Sequence, residues 1–390
     1  MSISSTTTEA AVPNSHGSIG LFGATALVAG SMIGSGIYLL PATLGAIGSI
    51  SILGWLAATA AALVTGAMFA WLGVAAPQAK GLPGYVEAGL GPFFGVQVTV
   101  AYWATNWIGT AAIALAVGLA PVLVAATLGW FAFHPTTFLA SWNPQGLSLS
   151  SAVGASALNA FWAFLGVECA AATAGVVRNP GRNVPRATLI GVVAVAVLYI
   201  GACSVLMGIL PAGALASSSA PFAQAGRASL GVGLAAAIAV CALLRAQGCV
   251  TGWVLVTSET TRSGADAGVF PKLFRTRPGE QASPINLMTA GGLMSLMAVV
   301  TASPTLGQQF GFLANVSVLL SLYSYILAGG SLIRASGGFT PGRRVGAILT
   351  ALGAMACSAA LIATGKPIEL AYGLVVVAAA ALLYLWLRGR

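Results

Sequence analysis

Charge is what this sequence has least of: 6% of its 390 residues are charged, against about 25% in ordinary soluble domains. Hydrophobic residues make up 58% and the mean hydropathy is +0.93. A soluble fold of this composition would have nothing polar to cover its surface, so the chain reads as an integral membrane protein. Acids are the scarcest charges, seven against sixteen Lys and Arg, for a net charge of +9. That sign does not imply a nucleic-acid partner, because the basic residues are scattered between apolar runs as in the cytoplasmic loops of membrane proteins. The cysteines (Cys169, Cys203, Cys241, Cys249 and Cys357) all fall inside apolar segments. They have neither metal-ligand spacing nor the pattern of a disulfide framework, so each reads as packing and no metal is expected. The sequence has no Walker A run, no phosphate-binding fingerprint beside an αβ unit and no loop long enough to hold such a domain, which excludes an ATP-driven pump. No cofactor is implied. The segment Met1 to His16 contains Glu9 and no basic n-region. It reads as a disordered cytoplasmic tail over 1–18 rather than a cleaved signal peptide.

What is there is a series of long apolar runs. A span needs about 20 apolar residues, and about ten candidates fit: 19–40, 50–75, 95–133, 150–177, 187–210, 230–257, 285–304, 310–333, 345–364 and 368–387. The expected fold class is therefore an all-α, polytopic inner-membrane helical bundle occupying 19–387, with 388–390 cytoplasmic. With the N-terminus inside, alternation puts Lys80, Arg178, Arg182, Arg186, Arg262, Lys272, Arg275, Arg277, Arg334, Arg343, Arg344, Arg388 and Arg390 inside, leaving Arg227 and Lys366 outside. Both termini are then cytoplasmic, in the plasma membrane. The run from Val98 to Phe133 is too long for a comfortable span, roughly 54 Å if helical. Splitting it into two crossings would reverse every later loop, so charge favours one long tilted crossing kinked at Pro121, with a short re-entrant piece as the alternative.

Two spans are interrupted. Gly30-Ser31-Met32-Ile33-Gly34-Ser35-Gly36 lies midway along the first, and Gly166-Val167-Glu168 breaks a later one. Glycines there free backbone groups, which lipid tolerates only where they line a cavity, and paired interruptions point to a transporter's substrate site. A mid-membrane carboxylate needs a partner or a function, so Glu168 is a candidate for facing a cationic substrate or carrying a proton. Arg245, halfway along its span, must pair, snorkel or face water; Glu168 is one candidate partner and an aqueous vestibule the other reading. Trp162 shares a helix face with Glu168. Tyr102, Trp103, Trp107, Trp253, Tyr323 and Tyr325 also lie within spans, each alone reading as packing or interfacial belt.

Ala29-Gly30-Ser31-Met32-Ile33-Gly34-Ser35-Gly36-Ile37-Tyr38-Leu39-Leu40-Pro41 resembles the first helix of the amino acid–polyamine–organocation transporters. Trp162-Ala163-Phe164-Leu165-Gly166-Val167-Glu168, continuing to Gly175-Val176-Val177-Arg178-Asn179-Pro180, resembles their sixth. The likeness is strongest to bacterial basic amino acid/polyamine antiporters and extends through Trp253, Gly268-Val269-Phe270-Pro271 and Val316-Ser317-Val318. It implies a five-helix inverted-repeat fold with broken first and sixth helices, exchanging an amino acid or amine across the bilayer by alternating access. It further implies that amides of Ser35 and Gly36 hold a substrate carboxylate, and that carbonyls near Ile33 and Trp162 hold the α-amine. Trp162 becomes the central gate, with Thr110 and Leu165 beside the substrate. Glu168, Tyr102 and Tyr325 match the outer-side gate; Ser35, Trp253 and Ser317 match the inner-side gate. A homodimer through the last two helices, 345–387, is implied as well.

Three departures accompany the resemblance. Ser31 and Thr110 stand where the arginine exchanger carries asparagines, which changes polar recognition. Arg245 replaces a small residue and weakens preference for a cationic side chain, favouring a proton-coupled permease for neutral amino acids as the runner-up. At 118–119 the chain passes from the family's third helix into the end of its fifth. The fourth helix is missing, so the first repeat is shortened and a non-transporting relative is the third reading.

Overall fold

The computed structural model describes residues 19–33, 38–79, 81–114, 120–168, 177–275, 283–302 and 305–388. Side chains of 109–114, 120–121, 180, 230, 234, 237, 239, 241–249 and 252 also lie outside the description. The described residues are helical, with one isolated parallel bridge between Ile19 and Val177. In chain order the helices are α1 (Leu21–Met32), α2 (Leu40–Gly45), α3 (Ser51–Ala75), α4 (Gly81–Leu90), α5 (Pro92–Ala114), α6 (Ala120–Thr127), α7 (Pro135–Ala140) and α8 (Leu149–Phe161). They continue as α9 (Pro180–Ile209), α10 (Ala212–Ala216), α11 (Pro221–Leu230), α12 (Val232–Asp266), α13 (Pro284–Val300), α14 (Leu306–Ala335), α15 (Pro341–Ile362) and α16 (Pro367–Arg388).

Among the described residues each of the apolar runs contains helix. Among the described residues α3, α9, α14, α15 and α16 are long and apolar enough to cross a membrane unaided by length and composition. Proline in the first turn opens α9, α13 and α15, where its missing N–H costs no helical hydrogen bond. Ser148 caps α8 by accepting from the Ser151 N–H, and Thr305 caps α14 by accepting from Gln308.

α14 is the central element, packed against α3, α4, α5, α15 and α16. A second layer is built by α3 between α8 and α9. There a Cβ on Gly54 would meet Ser156 Oγ at 2.1 Å, so the α3–α8 crossing requires glycine. Trp55 of α3 packs edge-on against Phe164 and Tyr199 in the buried core. α16 lies on the outside, exposing Leu374, Val375, Leu382 and Leu385.

Connectivity gathers charge at one end of the bundle. Arg178 and Arg182 at the start of α9, Arg262 near the end of α12, Arg334 at the end of α14, Arg343 and Arg344 at the start of α15, and Arg388 all lie at this basic end. Arg227 and Lys366 lie at the opposite end.

The single long crossing expected over 95–133 falls in part on residues 115–119, outside the described ones. α5 runs from the basic end, where Phe93 packs on Tyr384, past Thr105 beside Ser317. α6 and the 3-10 turn Leu128–Ala132 lie beside the far half of α9, with Gly129 against Val205 and Phe133 against Gly208. The kink expected at Pro121 cannot be placed without 115–119 and so lies outside the described residues too.

Candidate functional site

Both interrupted spans end their first halves at the same place. α1 stops at Met32, and Ile33 closes it by donating its N–H to the Ala29 carbonyl at 2.8 Å. α8 stops at Phe161, tightens into a 3-10 turn over Trp162–Phe164, and turns through Leu165–Glu168. Ser31 Oγ donates to the Val28 carbonyl (2.7 Å) and lies 3.1 Å from the Gly166 carbonyl, its second acceptor. Gly166 adopts φ +102°, and a Cβ there would sit 2.8 Å from the Ser31 carbonyl oxygen. Glycine is thus required twice over, for backbone conformation and for contact. The start of the first interrupted span and the end of the second are tied at the basic end, where the Arg178 N–H donates to the Ile19 carbonyl at 2.9 Å.

This junction has a definite electrostatic sense. The last carbonyls of a helix lack intrahelical partners, and a helix C-terminus carries partial negative charge. α1 and α8 both present C-terminal ends to the break, which favours a cationic group there. Glu168 adds a carboxylate. Its Oε2 accepts from the Tyr325 hydroxyl at 2.7 Å and from the Gly166 N–H at 3.1 Å. Tyr325 is buried on α14 and packs edge-on against Phe69 of α3. Among the described residues Glu168 has no salt bridge.

The structure thus joins Ile33, Leu165, Glu168 and Tyr325 around the Ser31–Gly166 contact, with Trp162 one turn away, buried and edge-on to Phe310. Ser317 is buried on α14; its hydroxyl donates to Leu313 and its carbonyl lies 3.5 Å from Thr105 Oγ1. Tyr102 on α5 and Trp253 on α12 are half-buried against the core. Ser35 and Gly36 lie outside the described residues. So do the side chains of Thr110 and Arg245, which leaves the Arg245–Glu168 pairing outside the description too.

Helix direction ranks the gate residues by distance from the basic end. α8 and α14 both run toward the basic end, so Trp162–Phe310 lies far from that end and Glu168–Tyr325 lies nearer to it. Trp253 precedes Thr260 and Thr261, which bond Asn106 and Trp103 of α5, and so lies on the far side of them. A basic end facing the cytoplasm would put Glu168, Tyr102 and Tyr325 on the inner side and Trp253 on the outer, the reverse of the sides the resemblance implies.

Sequence reading missed three participants. Phe310 lies two helical turns before Ser317 on the same face of α14, and that spacing was the available signal. Asn159, buried one turn before Trp162, donates to the Ala155 carbonyl and leaves its Oδ1 without a partner among the described residues. Glu369, buried in the first turn of α16, accepts from Asn315 Nδ2 and from the Lys366 N–H, both at 3.0 Å. An acid beginning an apolar run was its signal.

Comparison with known proteins identifies the family. An amino acid permease family model matches residues 19–120 and 111–368, two pieces that overlap at 111–120. The chain is 31% identical to the putrescine transporter PotE of Escherichia coli (strain K12) over 364 residues, 81% of this chain and 83% of that protein. It is 31% identical to the cadaverine/lysine antiporter of the same strain over 373 residues, 82% of this chain and 84% of that one. In fold it is similar to the Eremococcus coleocola manganese transporter, with a TM-score of 0.55, 15% identity, and coverage of 94% and 93% of the two chains. The chain belongs to the amino acid permease family and is a multi-pass membrane transporter, not an enzyme.

Proposed function

We propose that this chain exchanges an amine or amino acid for another across the plasma membrane by alternating access, with both termini cytoplasmic. The observation that carries the reading is the junction at Ser31–Gly166, where two helix C-termini and the Glu168 carboxylate converge. That arrangement favours an ammonium group, and the relatives named for putrescine, cadaverine and lysine all handle amines of this kind. In the proposed cycle, carbonyls around Ile33 and Trp162 take one ammonium group. Ser35 and Gly36 amides take the carboxylate when the cargo is an amino acid; a diamine has none and relies on Glu168. Trp162 packs over the aliphatic stem and closes the far side with Phe310 and Trp253. Glu168 and Tyr325, with Tyr102, close the basic side, and Ser317 and Thr105 hold α14 to α5 between the gates. Leu165 and Thr110 complete the lining. One helix group rocks against the other around this site, and α15 and α16 form the contact of a homodimer.

Arg245 favours a second reading, a proton-coupled permease for neutral amino acids. Counterflow in proteoliposomes separates the two. Labelled putrescine, cadaverine, lysine and a neutral amino acid are offered to vesicles that are empty, loaded with unlabelled substrate, or under a proton gradient. Exchange predicts uptake of amines only into loaded vesicles. Proton-driven uptake of the neutral amino acid into empty vesicles overturns it, and absence of flux under every condition identifies a non-transporting relative.

A further inference from the structure

At the basic end, away from the junction, α3, α4 and α14 enclose a cavity of about 350 Å³. One wall is formed by Leu72, Ala75 and Ala76 at the end of α3 with Tyr85, Ala88 and Gly89 of α4, apolar except for the Tyr85 hydroxyl. The other carries Ser331 and Arg334 of α14. Arg334 is exposed, and among the described residues it makes no ion pair. Its place at a helix C-terminus accounts for a cation there, since that end carries partial negative charge. It does not account for a cavity beside the cation.

No carboxylate lines this space. The one acid on α4, Glu87, lays its stem against Gly95 of α5. Nearby charge adds to the positive potential: Arg343 lies over the rings of Trp71 and Phe339, 5.7 and 5.6 Å from their centroids, and Trp71 immediately precedes Leu72 on α3. The cavity therefore has an apolar wall continuous with a membrane-spanning helix and a guanidinium at its membrane-end rim.

From this pairing we infer that the α3–α4–α14 cavity is a binding site for an anionic phospholipid of the leaflet at the basic end. The phosphate rests on Arg334 and the glycerol and upper acyl carbons lie along Leu72, Ala75 and Ala76. Basic pockets between spans at the cytoplasmic face suit such headgroups, and guanidinium matches phosphate in geometry as well as charge. Because α14 also carries Tyr325, Ser317 and Phe310, a lipid clamped at its end bears on the helix that both gates share.

The test uses the purified full chain in detergent, titrated with short-chain phosphatidylglycerol, phosphatidylcholine of the same chain length, and inorganic phosphate, with the tightest-held lipid read by native mass spectrometry. Phosphatidylglycerol should bind more tightly than phosphatidylcholine. Arg334→Gln should weaken it about fivefold, the effect of one basic residue facing an anionic leaflet, and Ala88→Phe, which fills the cavity from an exposed position, should remove it. Arg388→Ala, at the same end but outside the cavity, should leave it unchanged. Equal affinity for the two lipids, no effect of either cavity variant, or an equal loss from Arg388→Ala would overturn the site. Displacement of phosphatidylglycerol by inorganic phosphate at similar concentration would overturn the lipid in favour of a soluble anion.

Discussion

Glycine at 166 does something no other residue could. Its φ of +102° and the 2.8 Å approach of its absent Cβ to the Ser31 carbonyl make the two broken helices one unit. Gly166→Ala should therefore destabilise the protein by about 1–3 kcal/mol, the usual cost of holding a side chain in a sparsely populated backbone region. Thermal unfolding in detergent measures it, and an unchanged midpoint would mean the junction relaxes freely. Glu168 was readable from sequence as a mid-span acid needing a partner, but its partner was not. Tyr325 lies 157 positions away, and only tertiary packing brings its hydroxyl to Oε2. Glycine and acid positions can be read because lipid penalises both; side-chain pairing across helices leaves no such local trace.

Among the elements, α14 carries the most. It faces Trp162 through Phe310, α5 through Ser317, Glu168 through Tyr325 and α16 through Asn315. The Asn315–Glu369 bond ties it to the outermost helix. A double-mutant cycle of Asn315→Leu and Glu369→Gln, read by unfolding in detergent, should give a coupling of about 0.6 kcal/mol and no more than about 1.7, the range found for polar contacts between membrane helices. Strict additivity would show that the pair does not hold α14. At the end of α12, beyond its apolar part, the hydrogen bond from Arg262 holds the Glu259 carboxyl below its usual range. A lowered folded-state value means that the pair stabilises above the ordinary carboxylate range and loses this as pH falls through the lowered value. Both groups are substantially exposed, so solvent screening leaves little to lose. Arg262→Ala should shift the unfolding midpoint slightly at pH 7 and not at all at strongly acid pH, which melting curves at the two pH values check. Helix positions were legible because apolar length reports them directly.

On the scale of the molecule, loop charges predicted a bundle with a basic end, and helix connectivity reproduces it in Arg178, Arg262, Arg334, Arg343 and Arg388. Which gate lies at that end was beyond sequence, because it depends on helix direction at the contact and not on residue type. Among the described residues α1 packs chiefly on α9, with Phe22, Ala26, Leu27 and Gly30 exposed along its other face. The proposed function stands or falls with the carboxylate beside the Ser31–Gly166 junction. The direct measurement is counterflow of labelled putrescine into proteoliposomes loaded with unlabelled putrescine, for the native chain and for Glu168→Ala. The account predicts uptake by the native chain, none by it into empty vesicles, and loss of at least about tenfold in Glu168→Ala, since removing one partner of a buried charge contact costs about 1.5–3 kcal/mol. Equal counterflow by the two proteins would contradict it.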